Sequence, residues 1–499
     1  MPMTLPSQPD RGPPEHEELH LKKALGPFTL WGLGVGYVIS GEYFGWNLGL
    51  VEGGSFGLLV AFGLVTVMYV TFVFSYTEMA CAIPRAGGVF VYSARSLGMM
   101  GGFLGGFAQV IEFVFAPPAI AMAIGGYVQL WVAADWRDAM QAATGGTDPA
   151  IIIALVAYVL FTGLNMWGVK QAAVFELIVT VLAVGGLLMF TGVTAPYFQW
   201  RQFAADGWPH GWTGVLASLP FAIWFYLAIE GVANVAEEAK NPRRDVARGF
   251  GAAIATLVVL AGCVLLFSVG VGGWQRVVYE PHALAGTSDT SVWDAAGQTS
   301  DSPLPLAVAQ TVGRSHAIYH LIVGIGLLGL IASFNGIILA SGRALFEMGR
   351  VGFLPHFIGY SHRITRTPIY ALLLNFLIGA VAICFLDTGG LITMSAFGAV
   401  TLYIVSMIAL MRLRVKEPRL HRPFHTPCYP VFPLVALTLS FVSLVTMSWL
   451  NLNTGGVRDL AVSYSLWYYG FLLAGFVYYF SVVRGRLTAE DIAHFSRIE

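Results

Sequence analysis

Residues Leu30 to Leu50 read LWGLGVGYVISGEYFGWNLGL, an apolar run interrupted at Ser40-Gly41-Glu42. A second run, Leu216 to Val235, reads LASLPFAIWFYLAIEGVANV and is interrupted in the same way at Glu230-Gly231. Each sets a carboxylate beside a glycine midway along an apolar span. A charge at the bilayer centre costs roughly 2.5–3.5 kcal/mol on insertion scales. Glycine lowers helix propensity by about 1 kcal/mol against alanine. Both penalties occur twice, in matching places. They predict two discontinuous membrane helices around a mid-membrane binding site.

The rest of the composition agrees with a membrane chain. Of 499 residues, 56% are hydrophobic and 11% charged, where soluble domains have roughly 45–50% and about 25%. The 58 glycines suit close helix approach in lipid. A net charge of −1 gives no electrostatic footprint for nucleic acid. Cys81, Cys263, Cys384 and Cys428 are scattered, without metal-ligand spacing. Residues 1–24 are polar and proline-rich and lack the apolar stretch of a cleavable signal.

Apolar segments of about 20 residues, enough to span a bilayer, occur twelve times. They lie near 28–51, 57–81, 101–133, 150–168, 173–195, 213–238, 249–273, 314–346, 368–386, 389–411, 431–451 and 463–483. With the N-terminus in the cytoplasm, 22 of the 27 Lys and Arg residues fall on the cytoplasmic side and 5 on the other. That asymmetry is the positive-inside pattern. The expected fold is therefore all-α integral membrane, with twelve transmembrane helices and both termini cytoplasmic. Residues 1–27 are expected to be a disordered tail, 28–411 a transport core, 412–430 a basic cytoplasmic loop, 431–483 helices 11 and 12, and 484–499 a second tail. The loop near 274–313 is rich in Ser, Thr, Asp and Gly. It reads either as a lid or, more ordinarily, as a solvated connector.

No basic residue falls inside a span core, whereas Glu42, Glu112, Glu176 and Glu230 do. Intramembrane acids without cations need a proton, a metal ion or a cationic ligand. For Glu112 and Glu176 the ordinary reading is a protonated or hydrogen-bonded structural acid. Glu42 and Glu230 sit where helix geometry is expected to fail, so side chain and backbone groups converge there.

The flanking loops carry recognisable strings. Tyr76-Thr77-Glu78-Met79, followed by Pro84-Arg85-Ala86-Gly87-Gly88 and Tyr92, resembles the end of the second helix in the amino acid–polyamine–organocation transporters. Glu237-Glu238-Ala239-Lys240-Asn241-Pro242-Arg243-Arg244 resembles the segment closing their sixth helix. The stretch from Ser341-Gly342-Arg343 to Phe353-Leu354-Pro355 is similar to their eighth-helix exit. Arg422-Pro423-Phe424 with Pro427-Cys428-Tyr429-Pro430 resembles the loop before helix eleven. The four strings occur in order over roughly residues 28–450. The resemblance implies a five-plus-five inverted repeat with broken helices 1 and 6, two peripheral helices, and alternating access around the breaks.

Within that family, Ile39-Ser40-Gly41-Glu42-Tyr43-Phe44-Gly45-Trp46-Asn47 looks like the ethanolamine permease branch. Amino acid carriers hold the substrate carboxylate on the free N–H groups of helix 1. An anion at Glu42 would compete for those groups, whereas ethanolamine carries an ammonium and no carboxylate. Gly168-Val169-Lys170 resembles the start of helix 5, and counting along it Ala183 falls where proton-coupled relatives carry a lysine.

The expected function is import of ethanolamine or a related small amine across a bacterial inner membrane, without chemistry on the substrate. The candidate substrate site is Ile39, Ser40, Gly41, Glu42 and Tyr43 with Trp224, Tyr226, Leu227, Ile229, Glu230, Gly231 and Asn234, together with Glu112. Glu42 and Glu230 would hold the ammonium, Ser40 and Asn234 the hydroxyl, and Trp224 and Tyr226 would supply cation–π walls. Glu176, Ser333 and Asn335 are candidates for ion coupling, with Na+ and H+ both open; no other cofactor is expected. Expected partners are the amine and the bilayer, with no nucleic acid, and a homodimer is left open. Alternatives are an amino acid permease of the same superfamily and a non-transporting amine sensor. An enzyme is not expected: HExxH, GxSxG and metal-ligand clusters are missing from the sequence, and His316 and His320, at i and i+4, have no third ligand in view.

Overall fold

The computed structural model describes residues 25–85, 87–167, 172–282, 292–362, 365, 367–454 and 463–487. Most of both expected tails and the Gly168-Val169-Lys170 string lie outside the described residues. The main helices are α1 (Pro27–Val38), α2 (Leu48–Ala82), α3 (Met99–Gln129), α4 (Pro149–Trp167), α5 (Ala172–Thr194), α6 (Leu219–Trp224), α7 (Pro242–Gly272), α8 (Ala317–Val351), α9 (Ile369–Phe385), α10 (Thr388–Lys416), α11 (Val431–Thr454) and α12 (Tyr464–Tyr478). Three isolated β-bridges are the only extended pairings among the described residues.

The molecule is an all-helical membrane protein. Ten helical segments among the described residues are long and apolar enough to cross a membrane. Two expected spans differ. The first is split, because helix resumes only at Leu48 and then runs into the second span through a kink at Gly54 (φ 64°). The ninth is α9, with 17 residues.

Burial sorts the helices into centre and rim. The apolar windows of α3, of the segment Gly211–Glu238 and of α10 are 83%, 89% and 89% buried, against 33% for those of α4 and α11. The buried helices carry the acids and small residues, and the rim turns large apolar side chains such as Leu160 and Trp449 outward. Apolar rims facing lipid cost nothing, so the central position goes to segments with polar groups to satisfy.

Both interruptions occur, but about three residues away from the expected glycines. After α1 one short turn, Ser40–Tyr43, precedes extended Phe44 (φ −157°) and Gly45 (φ 88°). After α6 the chain turns through Ala228 in the left-handed region (φ 75°) into the 3₁₀ helix Ile229–Glu238. Glycine marks the crossing point here, not the break. A Cβ on Gly41 would overlap the Trp224 carbonyl oxygen, and one on Gly231 would lie 3.0 Å from the Tyr37 ring. Phe44 packs edge-on against Trp224, with centroids 5.4 Å apart, and Trp46 stacks on Phe225 at 5.7 Å. The two breaks are therefore one interlocked unit. Replacing Gly41 by Ala should destabilise the protein by about 1–3 kcal/mol, the range for overpacking. Gly63→Ala is the control, because nothing lies within 4 Å of that position; there the helix should gain roughly 1 kcal/mol. Equal thermal midpoints for the two purified variants would contradict the crossing-point role.

The strings that mark the family meet in pairs on one face. Glu78 of the first string takes hydrogen bonds from Arg414 and Thr426 and pairs with Arg422 of the fourth. Glu238 of the second lies 3.5 Å from Arg343 of the third. On the opposite face, the loop after α7 is not merely a solvated connector. Its helix Pro303–Val312 buries residues 303–308, and Asn47 donates to the carbonyls of Val277 (3.3 Å) and Ser300 (2.8 Å). The loop is thus anchored to the end of the first break. Asp301 accepts from Thr388 at 2.8 Å, and burial pushes its carboxyl up to about 6.

Candidate functional site

The interlocked breaks place three carboxyl groups in the centre, all with zero exposure. They fall into two neighbourhoods. Glu42 projects from the turn after α1, and neither carboxyl oxygen has a hydrogen-bond donor. It lies in electrostatic range of Tyr43, of Tyr226 after α6 and of Cys263 on α7. Burying an ionised carboxylate without a partner is strongly unfavourable, so this position is built for a proton or a cation.

Glu112 and Glu230 form the second neighbourhood, within electrostatic range of each other. The Ala228 N–H donates to Glu112 Oε1 at 3.2 Å. The Tyr403 hydroxyl donates to Glu230 Oε2 at 3.2 Å and lies 2.8 Å from the Tyr69 hydroxyl. The left-handed turn at Ala228 aims that N–H at α3. On the other side of α3, a Cβ on Gly398 would overlap the Glu112 backbone nitrogen. Ser395 donates to the Glu112 carbonyl at 2.7 Å. Close packing of α10 on α3 therefore fixes Glu112. The helix runs through Pro117 and Pro118 without a break, and Glu112 on it is a partner of the second break.

Several other candidates are already engaged. Ser40 receives a hydrogen bond from Ser333 at 2.8 Å, while Ser333 also lies 2.8 Å from the Tyr37 carbonyl. Those hydroxyls tie α8 to the first break. The Ile39 carbonyl accepts from Glu42 N–H at 3.1 Å. Asn234 accepts from Gln109 at 3.5 Å. Asn335 accepts from Asn165 on α4 at 2.8 Å, a polar contact between helices. The Tyr43 hydroxyl donates to the Ala183 carbonyl at 2.7 Å, and Tyr127 donates to the Tyr43 carbonyl at 3.1 Å. Leu227, Ile229 and Gly231 are buried wall and backbone. Tyr226 pairs with Thr66 at 2.8 Å. Trp224 Nε1 is buried without an acceptor. Glu176 is buried, its Oε1 lacks a donor, and it faces the glycine surfaces of α1 at Gly36 and α8 at Gly336.

A family model described as amino acid permease matches residues 25–477, which include both breaks and all of these acids. The chain belongs to the amino acid permease family. It is 29% identical over 434 residues to an uncharacterized transporter of Rhizobium meliloti, covering 85% of this chain and 87% of that protein. It is 26% identical over 479 residues to the branched-chain amino acid permease BcaP of Bacillus subtilis, 93% of each chain. It is 27% identical over 443 residues to the methylthioribose transporter of Bacillus subtilis, 86% of this chain and 90% of that one.

Around the candidate residues lie groups that sequence reasoning did not single out: Tyr69, Tyr403, Gln109 and the Ala228 N–H. Tyr69, Phe72 and Tyr76 recur at i, i+3 and i+7 and mark one face of α2. That spacing was visible, but nothing in it says that the face meets two carboxyls. Tyr403 lies in an otherwise apolar run with no local signal.

Proposed function

We propose that this permease carries a small primary amine of the ethanolamine type by alternating access, with Glu42 as the counter-charge of the ammonium. The observation that carries the reading is the Glu42 carboxylate, fully buried at the first break with no donor on either oxygen. A neutral amino acid would bring its own carboxylate beside that anion, an uncompensated repulsion. Tyr226 supplies an aromatic face within electrostatic range of Glu42. Trp224 Nε1, a buried donor in search of an acceptor, is our choice for the substrate hydroxyl in place of Ser40. The excess of Lys and Arg on one side supports a cytoplasmic setting for the face that carries Glu78 and Arg343, and import across a bacterial inner membrane.

The test is competition binding on purified protein. Ethanolamine should displace a bound amine far better than glycine or alanine does. A neutral amino acid that wins by tenfold, about 1.4 kcal/mol, would overturn the cation reading. It would favour the second reading, an amino acid carrier, to which the similarity to BcaP lends weight.

A further inference from the structure

We infer that the start of α7 binds an anionic phospholipid, with the headgroup on Lys240, Arg243, Arg244 and Arg248 and an acyl chain on the adjoining surface of α1 and α7. The assignment is independent of what the permease carries. Four cations stand within nine residues, Lys240 to Arg248. All four are exposed, and among the described residues none of them enters an ion pair. The acids of the same stretch are turned elsewhere. Glu238 lies against Arg343, and Glu237 is in electrostatic range of Glu347 near the end of α8. Asp245 is buried and accepts from the Asn241 N–H at 3.1 Å.

Helix stability does not account for these cations. Arg243, Arg244 and Arg248 lie in the first two turns of α7, where the helix's own partial charge is positive and a basic side chain is unfavourable. A run of four Lys or Arg directly beyond a membrane helix is instead the pattern that attracts acidic lipid headgroups. The Cys81 thiol, one turn past Glu78, donates to the Pro242 carbonyl at 3.7 Å, so the patch lies on the face that carries Glu78.

The adjoining surface fits the rest of a lipid. Arg244 and Arg248 begin an exposed stripe that continues along α7 at helical spacing through Ala252, Ala255 and Val259. Val259 is 61% exposed, so the stripe is the lipid-facing side of the helix, and its alanines leave a shallow track. Beside it, α1 presents Phe28, 60% exposed, stacked on Trp31 with centroids 5.0 Å apart. Trp31 donates to Thr256 of α7 at 3.0 Å. The entry to α1 is pinned to the patch, because the Lys240 N–H donates to the Leu25 carbonyl at 2.9 Å. Aromatic rings at this level are the usual mark of the membrane–water interface. Cations, aromatic pair and apolar track therefore follow one another as phosphate, glycerol and acyl chain do in a phospholipid. A free phosphate would use the cations alone.

Lipid binding to the purified full chain, read by native mass spectrometry, tests the site without any substrate. Phosphatidylglycerol should bind at least about tenfold more tightly than phosphatidylcholine with the same acyl chains, since each cation at an acidic headgroup supplies about fivefold. Inorganic phosphate in millimolar excess should not displace it. Both measurements use the wild-type chain alone. The double variant Arg244→Gln with Arg248→Gln should lose about twenty-five-fold in phosphatidylglycerol affinity, with phosphatidylcholine binding and the thermal midpoint unchanged. Arg244→Lys with Arg248→Lys keeps the charge and should stay within about fivefold of wild type. Arg412→Gln with Arg419→Gln removes the same charge from two other exposed positions and should lose less than about fivefold. Equal binding of the two lipids would overturn the site. So would equal losses in the two Gln pairs, which would mean attraction to net charge alone. Displacement by phosphate would replace the lipid with a free anion and overturn it as well.

Discussion

Glu42→Gln should lose more than a hundredfold in ethanolamine affinity, whereas Glu112→Gln should lose about fivefold. The Glu42 carboxyl has no donor and no exposure, and in the proposed reading the ammonium is its partner. Removing an ionised partner leaves the other buried charge uncompensated, a loss of roughly 3–5 kcal/mol. Glu112 already accepts from the Ala228 N–H at 3.2 Å, and its amide keeps an oxygen for that bond, at a cost of about 1 kcal/mol. Equilibrium binding to the two purified variants separates the cases. If Glu42→Gln binds normally and Glu112→Gln does not, the ammonium belongs in the second carboxyl neighbourhood, and the two acids exchange roles.

The second large effect concerns folding. Glu78 is 1% exposed and lies between the side chains of Arg414 and Arg422. Thr426 donates to it through both its N–H (2.8 Å) and its hydroxyl (2.7 Å). The Arg414 guanidinium stacks on Tyr429 at 3.7 Å. One carboxylate therefore pins α2, α10 and the loop before α11. Glu78→Gln strands two cations and should destabilise the protein by roughly 3–5 kcal/mol. Glu417 offers a matched comparison. It pairs with Arg95 at 2.7 Å, with side chains 16% and 28% exposed, and those hydrogen bonds hold its carboxyl below the usual range. A pair in that much water contributes at most about 1 kcal/mol, so Glu417→Gln should shift the thermal midpoint far less. Equal shifts for the two variants would remove Glu78 from its place as a central tie.

What the sequence determined by itself follows from the solvent it must face. Long apolar runs in a chain with few charges can satisfy their backbone only as membrane helices, so the helical class and the spans were legible locally. The four flanking strings were legible too, and with them the family. Two acids beside two glycines announced a pair of breaks, because nothing else offsets both penalties in an apolar run. The exact place of each break depended on tertiary structure. Gly41 was needed where helix 1 crosses the Trp224 carbonyl, and the backbone itself turned later, at Phe44–Gly45 and at Ala228. Nor could spacing along the chain pair Glu112 with Glu230, 118 positions apart in the sequence. Their meeting depends on Gly398 letting α10 press against α3 and on the left-handed turn that aims the Ala228 N–H. Which acid stands alone and which shares a partner is a property of packing between distant helices, and local sequence carries no term for it.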